Sequence, residues 1–332
     1  MAPAGLFRLW PLSPMIYRRA WVAELLLFRN LIRQKIMLHC SIGIMAYNEA
    51  ANIGRLLEAL RQQQTETVQI DEIVVVASGC TDGTEDIVRR HAAQDSRVHL
   101  LTQPKREGKA SAVNLYLHYT KSEIIVLQSA DTLPLAHTIE ALVSPFANPA
   151  VGMVGGHPIP TNRQDTFMGF GIHLLWELHH WVSLERPKMG ELIAFRNIFK
   201  QIPYDTAVDE ASIEPLIIGQ GMQLRYAPEA IVRNKGPENV RDFIRQRRRI
   251  FAGHLYVRET LGYRVATLNH WRILRLFLKH MRADWRYFVW GPLVIALEIF
   301  VRALGAYDYS VRRRNPFNWA IAESTKDLPE IA

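Results

Sequence analysis

The chain has 332 residues, 48% of them hydrophobic and 22% charged, which is the composition of a globular protein with one large core and appended segments. These proportions exclude a disordered, collagen-like or low-complexity chain. Its two cysteines are too few for a disulfide framework or a cysteine-rich metal site, and they favour a reducing compartment.

The net charge of +8 is concentrated at the two ends of the chain. Residues 1–37 carry a net charge of +5 and residues 241–314 carry +11, so the remainder carries −8. The basic residues at both ends are mixed with Trp, Leu, Ile and Phe, as in segments that contact an anionic membrane surface. Because these basic residues have apolar neighbours in the sequence, nucleic acid, the alternative anionic partner, is disfavoured.

The first 37 residues alternate basic and apolar side chains. Pro11 and Pro14 interrupt the stretch, so a helix is expected to begin after Pro14. Trp21 and Phe28 share this helix with several arginines, which predicts a basic amphipathic helix lying in a membrane interface. The alternative is a helix that packs its apolar face on the main domain.

From residue 38 onwards, short apolar runs alternate with helical patterns. The predicted strands are 41–46, 73–76, 98–101 and 124–127, and the predicted helices are 53–60, 84–91 and 110–119. This alternation predicts an α/β fold with a Rossmann-like, mainly parallel sheet flanked by helices. Such sheets bind ligands at the carboxyl ends of their strands, so functional side chains are expected there.

The second half of the chain is less regular. Residues 151–156 predict another strand and residues 167–184 a helix rich in Trp, His and Leu. Near the C-terminus, Tyr287–Leu297 is an apolar run of eleven residues, whereas a full membrane span needs about 20. Extending the run to Tyr307 includes Glu298 and Arg302, which are spaced to pair on one helix face. We therefore predict a re-entrant or in-plane helix, or a marginal span, within a membrane-associated segment 256–332.

Four short motifs carry side chains suited to catalysis or ligand binding, and each has an ordinary structural alternative. Tyr47-Asn48-Glu49 follows a strand and is equally typical of a plain loop. Asp131 follows the strand at 124–127, where a helix N-cap is the alternative. Asp209-Glu210 is also typical of a solvated helix start, and Gln246–Arg249 of a charged helix face.

The order of these motifs is more specific than any one of them. Between them lie the turn Gly79-Cys80-Thr81-Asp82-Gly83-Thr84 and the segment Gly108-Lys109, with Asn114 shortly after. This succession over about residues 40–255 resembles glycosyltransferase family 2. The resemblance implies a GT-A fold over 38–255 and an inverting transferase that uses a nucleotide sugar.

The resemblance also implies roles for individual residues. The expected donor-binding residues are Tyr47, Asn48, Glu49, Ser78, Gly79, Lys109, Ala130 and Asp131. Gln246, Arg248 and Arg249 are expected beside the acceptor and the diphosphate. Charge grows on the diphosphate as the glycosidic bond breaks, and a Mg²⁺ or Mn²⁺ ion neutralises it. Because such hard cations prefer carboxylate oxygens, Asp131 is the expected metal ligand.

Inversion requires one base that takes the proton of the acceptor hydroxyl as its oxygen attacks the anomeric carbon. The acidic pair Asp209-Glu210 supplies this base. The spacing to the following motif matches Glu210 to the base of the family, and Asp209 is the alternative.

Three departures from the family pattern affect the expected function. Ala77-Ser78 stand where most relatives have two Asp residues, which leaves the nucleotide base open. Ser129 stands where an Asp is frequent, which predicts weaker metal binding. Ile250 replaces the usual Trp, which disfavours a processive synthase.

The sequence therefore predicts transfer of a single hexose or N-acetylhexosamine, with a UDP-sugar favoured over a GDP-sugar as donor. A lipid or lipid-linked acceptor at the cytoplasmic face of a membrane follows from the basic ends. A non-catalytic nucleotide-binding member of the family and a sugar nucleotidyltransferase remain as alternatives.

Overall fold

The computed structural model describes residues 37–312 and residue 325, so the predicted N-terminal helix lies outside the described residues. The chain divides into a unit of residues 1–37 and a unit of residues 38–332, and the following description concerns the second. Its strands are β1 Leu38–Ala46, β2 Val68–Ser78, β3 Val98–Gln103, β4 Ile124–Ser129, β5 Thr132–Pro134, β6 Val151–Pro160, β7 Leu192–Arg196 and β8 Gln223–Asn234. Its helices are α1 Ile53–Arg61, α2 Thr84–Ala92, α3 Lys109–Tyr119, α4 Thr138–Val143, α5 Phe167–Glu185, α6 Asp209–Ile218, α7 Val240–Thr260, α8 His270–His280 and α9 Trp285–Ser310.

The eight strands form one mixed sheet in the order β3-β2-β1-β4-β7-β6-β8-β5. The first four positions hold parallel strands, as the alternation of strands and helices predicts. Strand β7 enters antiparallel to both β4 and β6. This insertion makes the sheet mixed, and it brings the chain just before β7 to the edge at which β4 ends.

Two apolar layers cover the two faces of the sheet. Helix α1 buries Ile53, Leu56, Leu57 and Leu60 against one face, because these residues recur on one side of a helix. Helix α3 packs against the other face through Tyr116. A Cβ atom on Gly43 would lie 2.3 Å from the Tyr116 ring, so only glycine allows this approach.

The C-terminal helices form a separate packed layer. Helix α9 contacts α5 and α7, and α8 contacts α5. The apolar run predicted at 287–297 belongs to a continuous helix of 26 residues, and the predicted boundary at residue 255 falls inside α7. Among the described residues, α9 is the one helix long and apolar enough to cross a membrane, and 22% of its apolar window is buried.

Candidate active site

The loops that follow β1 and β2 are tied together at the carboxyl edge of the sheet. The Oδ1 atom of Asn48 accepts a hydrogen bond from the backbone N–H of Thr81 at 2.9 Å. The backbone N–H of Glu49 donates to Oγ1 of Thr84 at 2.8 Å, and Asp82 accepts from the backbone N–H of Ala50. The turn after β2 therefore holds the Tyr-Asn-Glu segment in place.

The segment 105–107, which follows β3, packs against the loops after β1 and β2. Gly79 has a φ of +64°, and a Cβ atom there would lie 2.6 Å from the backbone nitrogen of Arg106. The Arg106 guanidinium stacks over the ring of Tyr47, with 4.2 Å between its Cζ atom and the ring centroid. The buried Ser78 hydroxyl lies beneath and accepts from the backbone N–H of Glu107 at 3.4 Å. The predicted nucleoside-binding residues thus form one contiguous surface.

Lys109 links this surface to the acidic pair. It occupies the first turn of α3, and its Nζ atom lies 3.1 Å from Oδ2 of Asp209 at the start of α6. Burial disfavours the charge on Lys109, but the surrounding carboxylates, Asp209 foremost, hold the pKa of Lys109 above its usual value. Asn114, one helix turn further along α3, exchanges two hydrogen bonds with the backbone of Ile202, which fixes the loop leading to α6.

Glu210 lines the same cavity as Lys109 and Asp209. Burial, and then the charge of Asp209, raise the pKa of the Glu210 carboxyl to about 8, against the influence of Lys109. A carboxyl with a pKa near neutrality is suited to accept a proton from a hydroxyl group. The two adjacent acids therefore differ: Asp209 is engaged by a lysine, whereas Glu210 faces the cavity in a setting that favours proton uptake.

Glu191, which the motif analysis did not single out, also lines the cavity. It directly precedes β7, and its Oε2 atom accepts a hydrogen bond of 3.0 Å from the Ser129 hydroxyl. Burial and the nearby Asp131 raise the pKa of Glu191. The antiparallel pairing of β7 with β4 brings this side chain here, and a single sequence does not reveal that pairing.

The three consecutive arginines of α7 point in different directions. Arg249 faces the carboxylate cluster: burial lowers its pKa to about 10, while Glu210 foremost favours its charged form. Arg247 pairs instead with Glu298 of α9 at 2.5 Å.

Two further residues predicted at the diphosphate and the acceptor lie on the same helix. Arg248 pairs with Asp308 of α9, so the structure does not bring its guanidinium to the cluster. Gln246 is half-buried on α7, one turn before Ile250.

Lys188 is a second residue that the motifs did not reveal. Its ammonium group donates to the backbone carbonyl of Met189 at 3.2 Å. Burial lowers the pKa of Lys188, and Glu210 and Glu214 oppose this effect. Lys188, just before β7, therefore interacts electrostatically with Glu210, as Lys109 on α3 does.

The donor atoms present fit a divalent ion. Asp131 lies two residues after the end of β4, the intervening Ala130 is buried, and Glu191 directly precedes β7. Within the described residues, no three His, Cys, Asp or Glu side chains are grouped to hold a metal alone. One or two carboxylates combined with phosphate oxygens and water are a usual environment for Mg²⁺.

Two family models match the chain. The model described as glycosyl transferase family 2 matches residues 41–208, and the model described as glycosyl transferase family group 2 matches residues 216–310. The first match alone covers half of the chain.

Curated relatives share part of their length with this chain. Glycosyltransferase AglE of Haloferax volcanii is 28% identical over 162 residues, which are 49% of this chain and 50% of the relative. Dolichyl-phosphate beta-glucosyltransferase ALG5C of Trichomonas vaginalis is 26% identical over 203 residues, which are 55% of this chain and 60% of the relative. The chain thus spans about half of the length of the curated relatives it matches.

A solved structure shares the fold. The mannosyltransferase PcManGT of Pyrobaculum calidifontis, solved in complex with GDP-Man and Mn²⁺, superposes with a TM-score of 0.56 at 22% identity. The similarity covers 83% of this chain and 86% of that chain. The predicted GT-A fold, a mixed sheet flanked by helices, is confirmed.

Proposed function

The chain belongs to glycosyl transferase family 2, and we propose that it is an inverting glycosyltransferase that moves one sugar from a nucleotide sugar to a lipid or lipid-linked acceptor at a membrane surface. The observation that supports the chemistry best is the contrast within the acidic pair. Asp209 is held by Lys109 at 3.1 Å, while the adjacent Glu210 has a raised pKa and lines the cavity.

In the proposed reaction Glu210 is the base. Its carboxylate takes the proton of the acceptor hydroxyl while the hydroxyl oxygen forms a bond to the anomeric carbon. The bond from that carbon to the diphosphate oxygen breaks, and the electron pair leaves with the diphosphate. Lys109 and Arg249 place positive charge where this negative charge develops, which stabilises the transition state.

The donor is assigned to the surface formed by the loops after β1, β2 and β3. Its proposed contacts are Tyr47, Asn48, Glu49, Ser78 and Gly79 for the nucleoside, and Lys109, Ala130 and Asp131 for the diphosphate. We assign a UDP-sugar, the donor that the sequence favours over a GDP-sugar. PcManGT holds GDP-Man, which makes a GDP-sugar the alternative donor.

A divalent ion completes the proposed site. Asp131 would hold it, and PcManGT was solved with Mn²⁺. When bound, such an ion neutralises the charge that grows on the leaving diphosphate. Asp131, Lys109 and Arg249 would hold the diphosphate as it departs.

The lipid acceptor is supported by the exposed surface of α8 and α9. Trp271 is 82% exposed, and Trp285, Phe288 and Ile299 are exposed by 59–63%. Large apolar side chains rarely cluster on a water-exposed surface without a partner. The relative ALG5C is named for transfer to dolichyl phosphate, a lipid of the proposed acceptor class.

A thermal-unfolding screen tests the donor assignment. The full chain in detergent is heated with UDP, GDP, CMP or dTDP, each with and without Mn²⁺. A ligand that binds the native state raises the unfolding temperature by mass action. We expect a rise with UDP that requires Mn²⁺. If only GDP raises the unfolding temperature, the donor is a GDP-sugar and not a UDP-sugar. If no nucleotide raises it, a non-catalytic member of the family is favoured.

A further inference from the structure

Strand β4 ends in Ser129-Ala130-Asp131, with a hydroxyl where the resembling family frequently carries a carboxylate. The adjacent strand β7 runs antiparallel to β4, and its register pairs Gln128 with Leu192. The next pair in this register is Ser129 and Glu191, and the backbone N–H of Ser129 donates to the Glu191 carbonyl at 3.3 Å. A carboxylate therefore lies opposite the position from which one is missing.

The side chains of this pair are in direct contact. The Ser129 hydroxyl donates to Oε2 of Glu191 at 3.0 Å. An Asp at position 129 would place a negative charge against this carboxylate, whereas a serine orients it. The serine and the glutamate are thus chemically matched to each other.

The charges around Glu191 suit a bound ion better than a simple ion pair. Lys109 has its closest carboxylate contact with Asp209, at 3.1 Å, so Glu191 is not needed as its partner. Glu191 interacts electrostatically with Asp131, the proposed metal ligand, and also with Lys109 and Arg249, the cations assigned to the diphosphate.

We propose that Glu191 supplies the second carboxylate of the divalent-metal site, in place of the one that Ser129 lacks, and that Ser129 is the residue that positions it. This inference rests on the proposed function, since the ion is the one that accompanies a nucleotide sugar. The site would hold the ion through carboxylates from β4 and from the start of β7, and the remaining ligands would come from the diphosphate and water.

Mn²⁺ binding tests this assignment without an activity assay. Mn²⁺ is titrated into the full chain, alone and with UDP or GDP, and electron paramagnetic resonance measures the Mn²⁺ that remains free. We expect Glu191→Gln to weaken Mn²⁺ binding in the presence of the nucleotide by about tenfold or more, a typical loss when the surroundings of a metal are altered. Asp131→Asn is expected to weaken it at least as much.

A matched control lies at the opposite edge of the sheet. Glu72 is half-buried and accepts a hydrogen bond from the Thr120 hydroxyl, as Glu191 does from Ser129. Glu72→Gln is expected to leave Mn²⁺ binding unchanged. Thermal unfolding of every variant identifies a loss that arises from misfolding.

The double variant provides the decisive comparison. Ser129→Asp combined with Glu191→Gln moves the carboxylate back to β4 and removes the repulsion, so it is expected to recover Mn²⁺ affinity lost in Glu191→Gln. If Glu191→Gln binds Mn²⁺ as tightly as the wild type while Asp131→Asn binds it more weakly, the role of Glu191 is overturned and the proposed function remains. If the wild type binds no Mn²⁺ with either nucleotide, both the role of Glu191 and the metal-dependent function are contradicted.

Discussion

The residues at the start of α6 show how neighbouring carboxylates acquire different properties. Asp209 is buried, and its Oδ2 atom lies 3.1 Å from the Nζ atom of Lys109. Glu210 sits one residue later in the same helical turn and lines the same cavity, where burial and then the charge of Asp209 raise the pKa of its carboxyl to about 8. The two residues differ in the contacts of their side chains, which the sequence does not reveal, so the sequence left both as candidates for the base.

Exchange of each acid for its amide separates the two roles. Glu210→Gln is expected to lower kcat by about 10²–10⁴, the range lost when a general base is removed, with little change in Mn²⁺–nucleotide binding. Asp209→Asn is expected to weaken donor binding more than turnover, because Lys109 loses its nearest carboxylate. Single-turnover kinetics and nucleotide titration distinguish these effects, and Glu72→Gln is the control. If Glu210→Gln has normal activity and Asp209→Asn is inactive, the base is Asp209 and not Glu210.

The pH dependence follows from the same carboxyl. Glu210 accepts a proton only when ionised, so kcat/KM is expected to rise with pH and to level off only as the pH passes about 8. The charged groups that face it are Asp209, Lys109, Lys188 and Arg249. The profile is measured at saturating Mn²⁺ for the wild type and for Glu210→Gln, in which this rise should be absent. A wild-type plateau already reached at pH 6 would contradict the assignment.

A glycine substitution tests the donor surface. Gly79→Ala adds a Cβ at a φ of +64°, 2.6 Å from the backbone of Arg106. It is expected to lower the free energy of unfolding by about 1–3 kcal/mol and to displace segment 105–107. Gly221→Ala is the matched control, because its φ is +75° but nothing lies within 4 Å of the added atom. Calorimetric UDP titration should show weakened binding for the first variant alone.

At the scale of elements, α7 connects the carboxylate cluster around Glu210 to the C-terminal helices. Successive helix residues point about 100° apart, so consecutive arginines cannot face one partner. Arg247 pairs with Glu298 at 2.5 Å and Arg248 pairs with Asp308, both on α9, while Arg249 interacts electrostatically with the carboxylates around Glu210. The motif that resembles the family's diphosphate-binding segment thus also anchors α9.

Loss of this anchor should destabilise the C-terminal layer. Glu298 pairs with both Arg247 and Arg302, and its side chain is 12% exposed. Glu298→Gln leaves two largely buried guanidinium groups without their counter-charge, so the free energy of unfolding is expected to fall by about 3 kcal/mol. Denaturant unfolding in detergent measures the change. Asp165→Asn breaks the highly exposed pair with Arg163 and should leave the midpoint unchanged, and an equal midpoint for both variants would argue against the anchor.

The elements also show what the sequence could predict. Helix α1 buries the apolar side that its pattern indicated, and the predicted strands at 41–46 and 124–127 lie inside β1 and β4. These predictions depended on local periodicity. The position of Glu191 depended on the pairing of β7 with β4, which joins segments about 60 residues apart and leaves no local pattern in the chain.

At the scale of the whole molecule, the charge of the sequence is divided between an acidic body and two basic, apolar ends. The cavity lined by Asp209 and Glu210 lies at the carboxyl edge of the sheet, and α8 and α9 carry exposed aromatic residues together with Arg275 and Lys279. Apolar side chains beside cations are typical of helices that lie in an interface with anionic lipid. This arrangement would bring a lipid-linked acceptor to the same molecule that holds the donor.

Vesicle flotation of the full chain tests this orientation. Binding is expected to be stronger to vesicles that contain phosphatidylglycerol than to pure phosphatidylcholine, and salt should weaken it because exposed charges are screened. Trp285→Ala combined with Phe288→Ala should lower the binding constant at least about tenfold, since burying one large apolar side chain contributes about 1.5–3 kcal/mol. Tyr204→Ala, at 59% exposure on the loop before α6, is the matched control. Equal flotation of all variants with both lipids would assign membrane contact to another part of the chain. If the wild type does not float with either lipid, the membrane is removed from the proposed function. A soluble acceptor would then be the substrate for the chemistry of the same cavity.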